Sequence, residues 1–346
     1  MPELLIDKSI CLNNIERMIR KASAKNLSFR PHFKTHQSVE IGNWFYDRGI
    51  TRITVSSFRM ATYFARAGWT DILVAFPFDP NEIKLLHSLP SKTAVSILLD
   101  NKEVLKSLGG LKREVNYYID IDPGYGRTGM DPRDIAALGD LINETTKISR
   151  LHFKGFYCHA GQSYTTADPL KQDEIHQRAT GDLKWLKQEF ADHTPLVLYG
   201  DTPNCSRQED FSGVDEITPG NFVFYDLMQE RLGACSPDDI AVTLSCPVAG
   251  KYKDREQLVI HGGAVHFSKD SLSLDGRSVF GRVKGTECWL TGLSQEHGIL
   301  EHSGTLFMQT HIGDHLRIYP VHSCLAANLM RRYRTLEGEW IETMNS

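Results

Sequence analysis

Short apolar runs alternate with amphipathic stretches through the first two-thirds of the chain, and this rhythm narrows the fold more than any other feature. Candidate strands are Ile53 to Val55, Asp71 to Ala75, Ala94 to Leu99, Asn116 to Ile121, Phe153 to Cys158 and Leu196 to Tyr199, while Pro132 to Thr145 and Pro169 to Ala191 carry helix-like spacing. Units of about 25 to 40 residues suit a parallel barrel or a doubly wound sheet. A barrel would place chemistry at its strand ends. After about Asp226 the texture changes to strand-like alternation with Gly, Asp and Ser turns, as in QLVIHGGAVHFSKDSLSLDG, TECWLTGLSQEHGIL and GDHLRIYPVHSC, so a smaller β-rich domain is expected there.

The 346 residues suffice to bury a core without covalent staples. A formal net charge of −4, with 24% charged residues, advertises neither a nucleic acid partner nor an anionic membrane. Seven scattered cysteines form no disulfide framework and suit a reducing compartment. The opening residues lack a basic segment followed by a long apolar run, and no apolar stretch approaches membrane-spanning length, so a cytoplasmic, soluble chain is expected.

The segment RPHFKTH sets Lys34 between His32 and His36 near an expected strand end. A lysine can form an imine with an aldehyde cofactor and later serve as a base, provided its surroundings lower its pKa. Neighbouring imidazoles and burial would act in that direction. A surface lysine is the alternative, and spacing alone does not decide between them.

Several motifs do, because they occur in order along nearly the whole chain: LLIDKSICLNNIERM, PHFKTH, DPGYGRTG, GFYCHAGQSY, TPGNFVFYD, EHG and GDHLRIYPVHSC. Together they resemble the D-serine dehydratase and D-threonine aldolase family, relatives of the alanine racemase type of pyridoxal-phosphate (PLP) enzyme. The resemblance implies an α/β fold, a TIM-type (βα)8 barrel over residues 11–225 with PLP at its mouth. It also implies a β-rich domain of residues 1–10 and 226–346, a homodimer with active sites near the subunit interface, and PLP carried on Lys34.

By the same resemblance Arg127, in a glycine-rich loop after a strand, faces the cofactor's phenolic oxygen, where a permanent guanidinium favours the phenolate. An ordinary loop salt bridge is the other reading. Two loops offer phosphate donors, one around Thr202 and one at Gly220 and Asn221. The first departs from the family pattern, carrying Asp201 and Pro203 where relatives often have glycine. His159 is a candidate to stack on the cofactor ring or else a core histidine, and Tyr225 would approach the pyridine nitrogen or pack between domains.

His322 and Cys324 follow the apparent strand LRIYPV, and in an extended chain residues two apart face the same side. Imidazole and thiolate suit Zn²⁺, with further positions for water and substrate. In the family this is where the metal pair lies. Aldolases of this type present His-x-Asp, suited to Mn²⁺, and the dehydratases present His-x-Cys, so Cys324 favours dehydration with zinc, Mn²⁺ standing second. Enzymes processing 3-hydroxyaspartate share the pair. His297 is either a supporting group or a turn histidine.

The implied reaction has Lys34 yield its place on PLP to a D-amino acid and take the Cα proton, while the metal assists the departing hydroxide. D-serine would give pyruvate and ammonia. An aldolase on the same scaffold would give glycine and an aldehyde. A PLP homeostasis protein would resemble the barrel alone, and no residue marks the second acid/base that a racemase needs.

Overall fold

The structure, a computed structural model, describes residues 1–301 and 304–346. Contacts between Cα atoms divide the chain into one unit of Glu16–Lys34 and Gly42–Gly220 and another of Met1–Ile15, Thr35–Ile41 and Asn221–Ser346. The chain opens with β1 (Glu3–Ile6), a strand of the latter unit. It then lays down eight parallel strands: β2 (Ser28–Phe29), β3 (Arg52–Val55), β4 (Asp71–Pro77), β5 (Ala94–Leu99), β6 (Val115–Ile121), β7 (Leu151–His159), β8 (Leu196–Gly200) and β9 (Glu216–Ile217). Their order is β2-β9-β8-β7-β6-β5-β4-β3. A parallel bridge from His32 to Thr54 in β3, with Phe33 N–H donating to Thr54 O at 2.8 Å, brings the two edges together and nearly closes the barrel.

Barrel strands are covered on both faces, which is why β5 (AVSILL) and β6 (VNYYIDI) are buried almost throughout. Leu73, Leu98, Tyr118, Tyr157 and Leu198, one from each of β4 to β8, pack as an interior cluster. Each large side chain so buried contributes about 1.5–3 kcal/mol. The seam is different, since β2 and β9 are two residues long. There Arg30, 4% exposed, binds Glu216 at 2.8 Å and Asp71 at 2.7 Å, and Arg52 reaches Glu216 at 3.1 Å. These paired charges hold the seam where the backbone ladder is short; stranding one of them would cost about 3–5 kcal/mol.

The second unit adds β10 (Val242–Tyr252), β11 (Gln257–His261), β12 (Leu272–Leu274), β13 (Arg277–Val279), β14 (Gly281–Val283), β15 (Leu290–Leu293), β16 (His297–Glu301), β17 (His315–Pro320), β18 (Arg332–Thr335) and β19 (Trp340–Glu342). One sheet runs β15-β16-β11-β10-β1-β18-β19, with β17 pairing β10 and β14. β1 meets β10 antiparallel and β18 parallel. The alternation read from the sequence reappears as burial: β11 and β16 bury every second residue. Among the described residues no helix is long and apolar enough to cross a membrane.

Candidate active site

In the barrel unit Lys34 follows directly on the His32–Thr54 bridge at the closing edge. Its predecessor Phe33 is fully buried among Phe45, Phe64 and Trp69, with ring centroids 5.0–5.2 Å apart. The aromatic plug fixes the backbone from which the lysine departs. His32 Nδ1 accepts the Lys34 N–H at 3.3 Å. The lysine is exposed rather than buried, so the burial expected around it is absent.

Arg127 rides on the loop between β6 and the Ile135–Thr145 helix. Asp122 organises that loop: its Oδ1 accepts the N–H groups of Gly124, Tyr125 and Gly126 at 2.9, 2.7 and 3.0 Å. The loop returns where Met130 N–H donates to Asp120 O, and Gly129 sits there with φ +102°, where a Cβ would lie 2.7 Å from Asp122 N. Thr128 donates to Asp120 Oδ2 at 2.7 Å, and burial raises that carboxyl to about 6. The Arg127 guanidinium lies 5.1 Å from the Tyr125 ring centroid. Asp120, Tyr125, Arg127 and His159 line one small pocket.

His159 ends β7, and burial pushes it down to about 3, with the positive charges of Lys34 and Arg127 acting in the same direction. Its ring is therefore neutral at ordinary pH. Tyr125 and Tyr164 flank it at centroid distances of 6.4 and 6.2 Å. Tyr164 links this cluster to the next loop, because its hydroxyl accepts the Thr202 N–H at 3.2 Å.

After β8, Asp201 caps the short Thr202–Arg207 helix, accepting the Asn204 N–H at 2.7 Å. Pro203 has no N–H. The departures at positions 201 and 203 thus use up or remove the backbone donors that glycines would leave open. What remains is the Thr202 hydroxyl, buried and without a hydrogen-bond partner among the described residues. An orphaned buried hydroxyl fits a phosphate oxygen. At the second loop Thr218 N–H donates to Tyr199 O and Pro219 has none, so the donors that turn can offer include the Gly220 N–H and the buried Thr218 hydroxyl.

In the second unit His322 and Cys324 come together at a strand-to-helix corner. The extended segment expected from their spacing stops at His322, which is the N-cap of the Ser323–Met330 helix, so Cys324 already lies in the first helical turn. Asp270 Oδ2 lies 2.7 Å from His322 Nδ1 and leaves the other ring nitrogen for a ligand. Burial pulls His322 down, but hydrogen bonds to Asp270 and Cys324 outweigh it and raise the imidazole to about 11. Burial opposes ionisation of Cys324, yet bonding to His322, its charge and Thr35 bring the thiol below its ordinary value. Imidazole and thiolate sharing one proton is the donor set that a borderline cation would take over, so the pair fits a metal.

The surroundings of the pair were not read from the sequence. Asn221 Nδ2 donates to Cys324 Sγ at 3.3 Å, Asp226 Oδ2 at 2.7 Å and Ser323 Oγ at 3.0 Å, and Thr35, the residue after Lys34, has its hydroxyl 3.3 Å from Sγ. Asn221, expected among the phosphate donors, has its Nδ2 engaged with Cys324, Asp226 and Ser323, while its buried Oδ1 has no hydrogen-bond partner among the described residues. Tyr225 is buried at φ +48° with its N–H on Asn221 O. Asp122, Tyr164 and Asp270 carry no signature at sequence level beyond lying in or near the motifs. His297 is exposed beside Ser294, 3.4 Å from its hydroxyl.

Two family models match the chain: "Alanine racemase, N-terminal domain" over residues 6–226 and "Putative serine dehydratase domain" over residues 241–336. D-serine dehydratase of Dictyostelium discoideum is 30% identical over 370 residues, covering 98% of this chain and 93% of that protein. D-threo-3-hydroxyaspartate dehydratase of Delftia sp. HT23 is 27% identical, covering 98% of this chain and 94% of that one. Its solved structure superposes with a TM-score of 0.89, covering 100% of this chain and 98% of that chain at 25% identity, and that enzyme is also known as a cysteine-to-alanine mutant in the metal-free form. D-threonine aldolase from Filomicrobium marinum shares the fold, with a TM-score of 0.87 at 19% identity over 100% of this chain and 95% of that one. The chain belongs to the D-serine dehydratase family of alanine racemase-like proteins.

Proposed function

We propose that this protein is a PLP- and zinc-dependent D-serine dehydratase, a lyase that eliminates water from D-serine to give an enamine, whose imine tautomer takes up water again and releases ammonia to leave pyruvate. What supports the reading most is the His322–Cys324 pair, a soft donor set oriented by Asp270 and Asn221 in a chain of PLP-enzyme fold. PLP would join Lys34 through its aldehyde and, when bound, supply the electron sink that acidifies the substrate's Cα–H. Zinc on His322 and Cys324 would supply Lewis acidity for the leaving hydroxyl.

The chain's own residues have separable tasks. Lys34 Nζ would hold the aldehyde carbon and, once free, receive the Cα proton. Arg127 would lend its fixed charge to the phenolic oxygen, with its loop pinned by Asp122. The Thr202 hydroxyl and Gly220 N–H would hold the phosphate, and the neutral His159 ring would lie against the cofactor without adding a charge. Tyr225 would stand near the pyridine nitrogen. Asn221 would steady Cys324, and Asp270 would fix the His322 tautomer. A homodimer in the cytoplasm completes the reading; seven unpaired cysteines are what a reducing compartment maintains.

The second reading is dehydration of D-threo-3-hydroxyaspartate, favoured by the 27% identity to that dehydratase over almost the whole chain. Aldol cleavage is the remaining outcome. Purified protein loaded with PLP and zinc should be offered D-serine, D-threonine and D-threo-3-hydroxyaspartate, with keto acid, ammonia, glycine and aldehyde followed together. Pyruvate and ammonia from D-serine at the highest kcat/KM are expected. Glycine with an aldehyde as the main products would replace dehydration by aldol cleavage, and preference for the hydroxyaspartate would move the substrate.

A further inference from the structure

A second set of metal-ligating side chains lies in the β-rich unit, in residues that the proposed reaction does not use. His261 ends β11, His266 lies in the one-turn Ala264–Phe267 helix, and Glu296 occupies the turn before β16. His261 Nε2 is 3.5 Å and His266 Nε2 3.9 Å from the same carboxylate oxygen, Glu296 Oε2, and the three ligand atoms lie within 4.8 Å of one another. Ligand atoms on an ion with bonds of about 2.0–2.2 Å stand about 3–3.5 Å apart, so small side-chain rotations would close the triangle.

The backbone under these residues is fixed before any ion arrives. Gly262 N–H donates to Glu296 O at 2.9 Å, Ala264 N–H to Ser294 O at 2.8 Å and Val265 N–H to Gln295 O at 3.2 Å. Gly263 lets the strands approach so closely that a Cβ there would lie 2.3 Å from Gln295 O. His266 is the more buried of the two imidazoles. Its Nδ1 now accepts the Gly263 N–H at 3.1 Å, so binding at Nε2 moves the ring proton to Nδ1 and gives up that bond.

We propose that His261, His266 and Glu296 form a second, structural site for a borderline divalent cation of the zinc class. Two imidazoles and one carboxylate on three sides leave the outer positions to water, and the side chains are 38%, 14% and 47% exposed, open enough for an ion to enter. The ion ties the end of β11 to the turn entering β16, and raises stability by binding only the folded chain.

The test uses PLP-loaded protein carrying Cys324→Ala, so that zinc at the proposed catalytic pair does not enter the count. After chelation, zinc chloride alone is titrated by calorimetry, and retained metal is measured after gel filtration. One equivalent is expected, with an upward unfolding shift of about 3 °C or more. Adding His261→Gln or Glu296→Gln should weaken binding at least tenfold and erase the shift, and His266→Gln should weaken it tenfold or more. His297→Gln is the control, since His297 sits opposite His261 in the strand register and would be the natural substitute ligand. No retained zinc, binding indifferent to His261 and Glu296, or loss with His297→Gln while His266→Gln binds normally would each overturn the site.

Discussion

Two histidines, one in each unit, are driven in opposite directions. His159 in the barrel unit is pushed down to about 3 by burial beside the cations Lys34 and Arg127, so it stays neutral. His322 in the β-rich unit is raised to about 11 because Asp270 and Cys324 reward the proton more than burial penalises it. The residue type is the same, and the neighbours decide its use. A neutral flat ring suits contact with an aromatic cofactor, while a site that attracts a proton between nitrogen and sulfur suits a metal that displaces it.

The sharpest way to break this comparison is to remove the lysine proposed to carry PLP. Lys34→Ala should lower D-serine turnover by about a thousandfold or more while leaving metal content unchanged. Borohydride reduction and peptide mapping of the parent protein should find the pyridoxyl adduct on Lys34, and an adduct on another lysine would remove it from the role.

Removing the metal half should do the converse. Cys324→Ala should lose the proposed metal and at least about 100-fold in elimination, since even outer partners of a metal ligand are worth about 10 to 100-fold, yet keep the visible PLP band. Full activity in that variant would eliminate the metal role, whereas loss of both folding and PLP would make Cys324 structural. Asp270→Asn removes the carboxylate that orients His322 and raises its imidazole, and should cost about 10 to 100-fold in metal affinity, read by calorimetry, with PLP binding intact. Unchanged affinity would show that the Asp270 contact does not orient a ligand.

The smallest effect concerns His159 and proton linkage. In the folded chain its ring stays neutral down to about 3, while in the unfolded chain it takes a proton below about 6.5, so falling pH favours unfolding. Relative to His159→Phe, the PLP-free parent should lose about 1–2 kcal/mol of stability between pH 6.5 and 5. Urea unfolding across that range measures it. Parallel profiles for the two proteins would mean that the imidazole is solvated after all.

Six barrel strands were legible as apolar runs because a parallel strand covered on both faces announces itself by composition. β2 and β9 were not, since two residues carry no period, and their seam is held by Arg30 and Glu216, which read as ordinary charges. In the β-rich unit the change to alternation was plain from residue 226 onward, because an antiparallel sheet with one wet face repeats every second residue.

Site chemistry followed the same division. The order of motifs along the chain named Lys34, Arg127, His159, His322 and Cys324 as candidates, since chemistry of this kind needs particular side chains and those can be read one at a time. Which groups support them was decided only in three dimensions. Asp270 lies 52 residues from His322, Asn221 lies 103 from Cys324, and Tyr164 lies 38 from Thr202. Hydrogen bonds at such separations leave no spacing to detect. A pKa is likewise a sum over neighbours brought close by folding, so the sequence determined which groups can titrate or ligate, and tertiary structure decided which of them are made neutral, charged or ready for a metal.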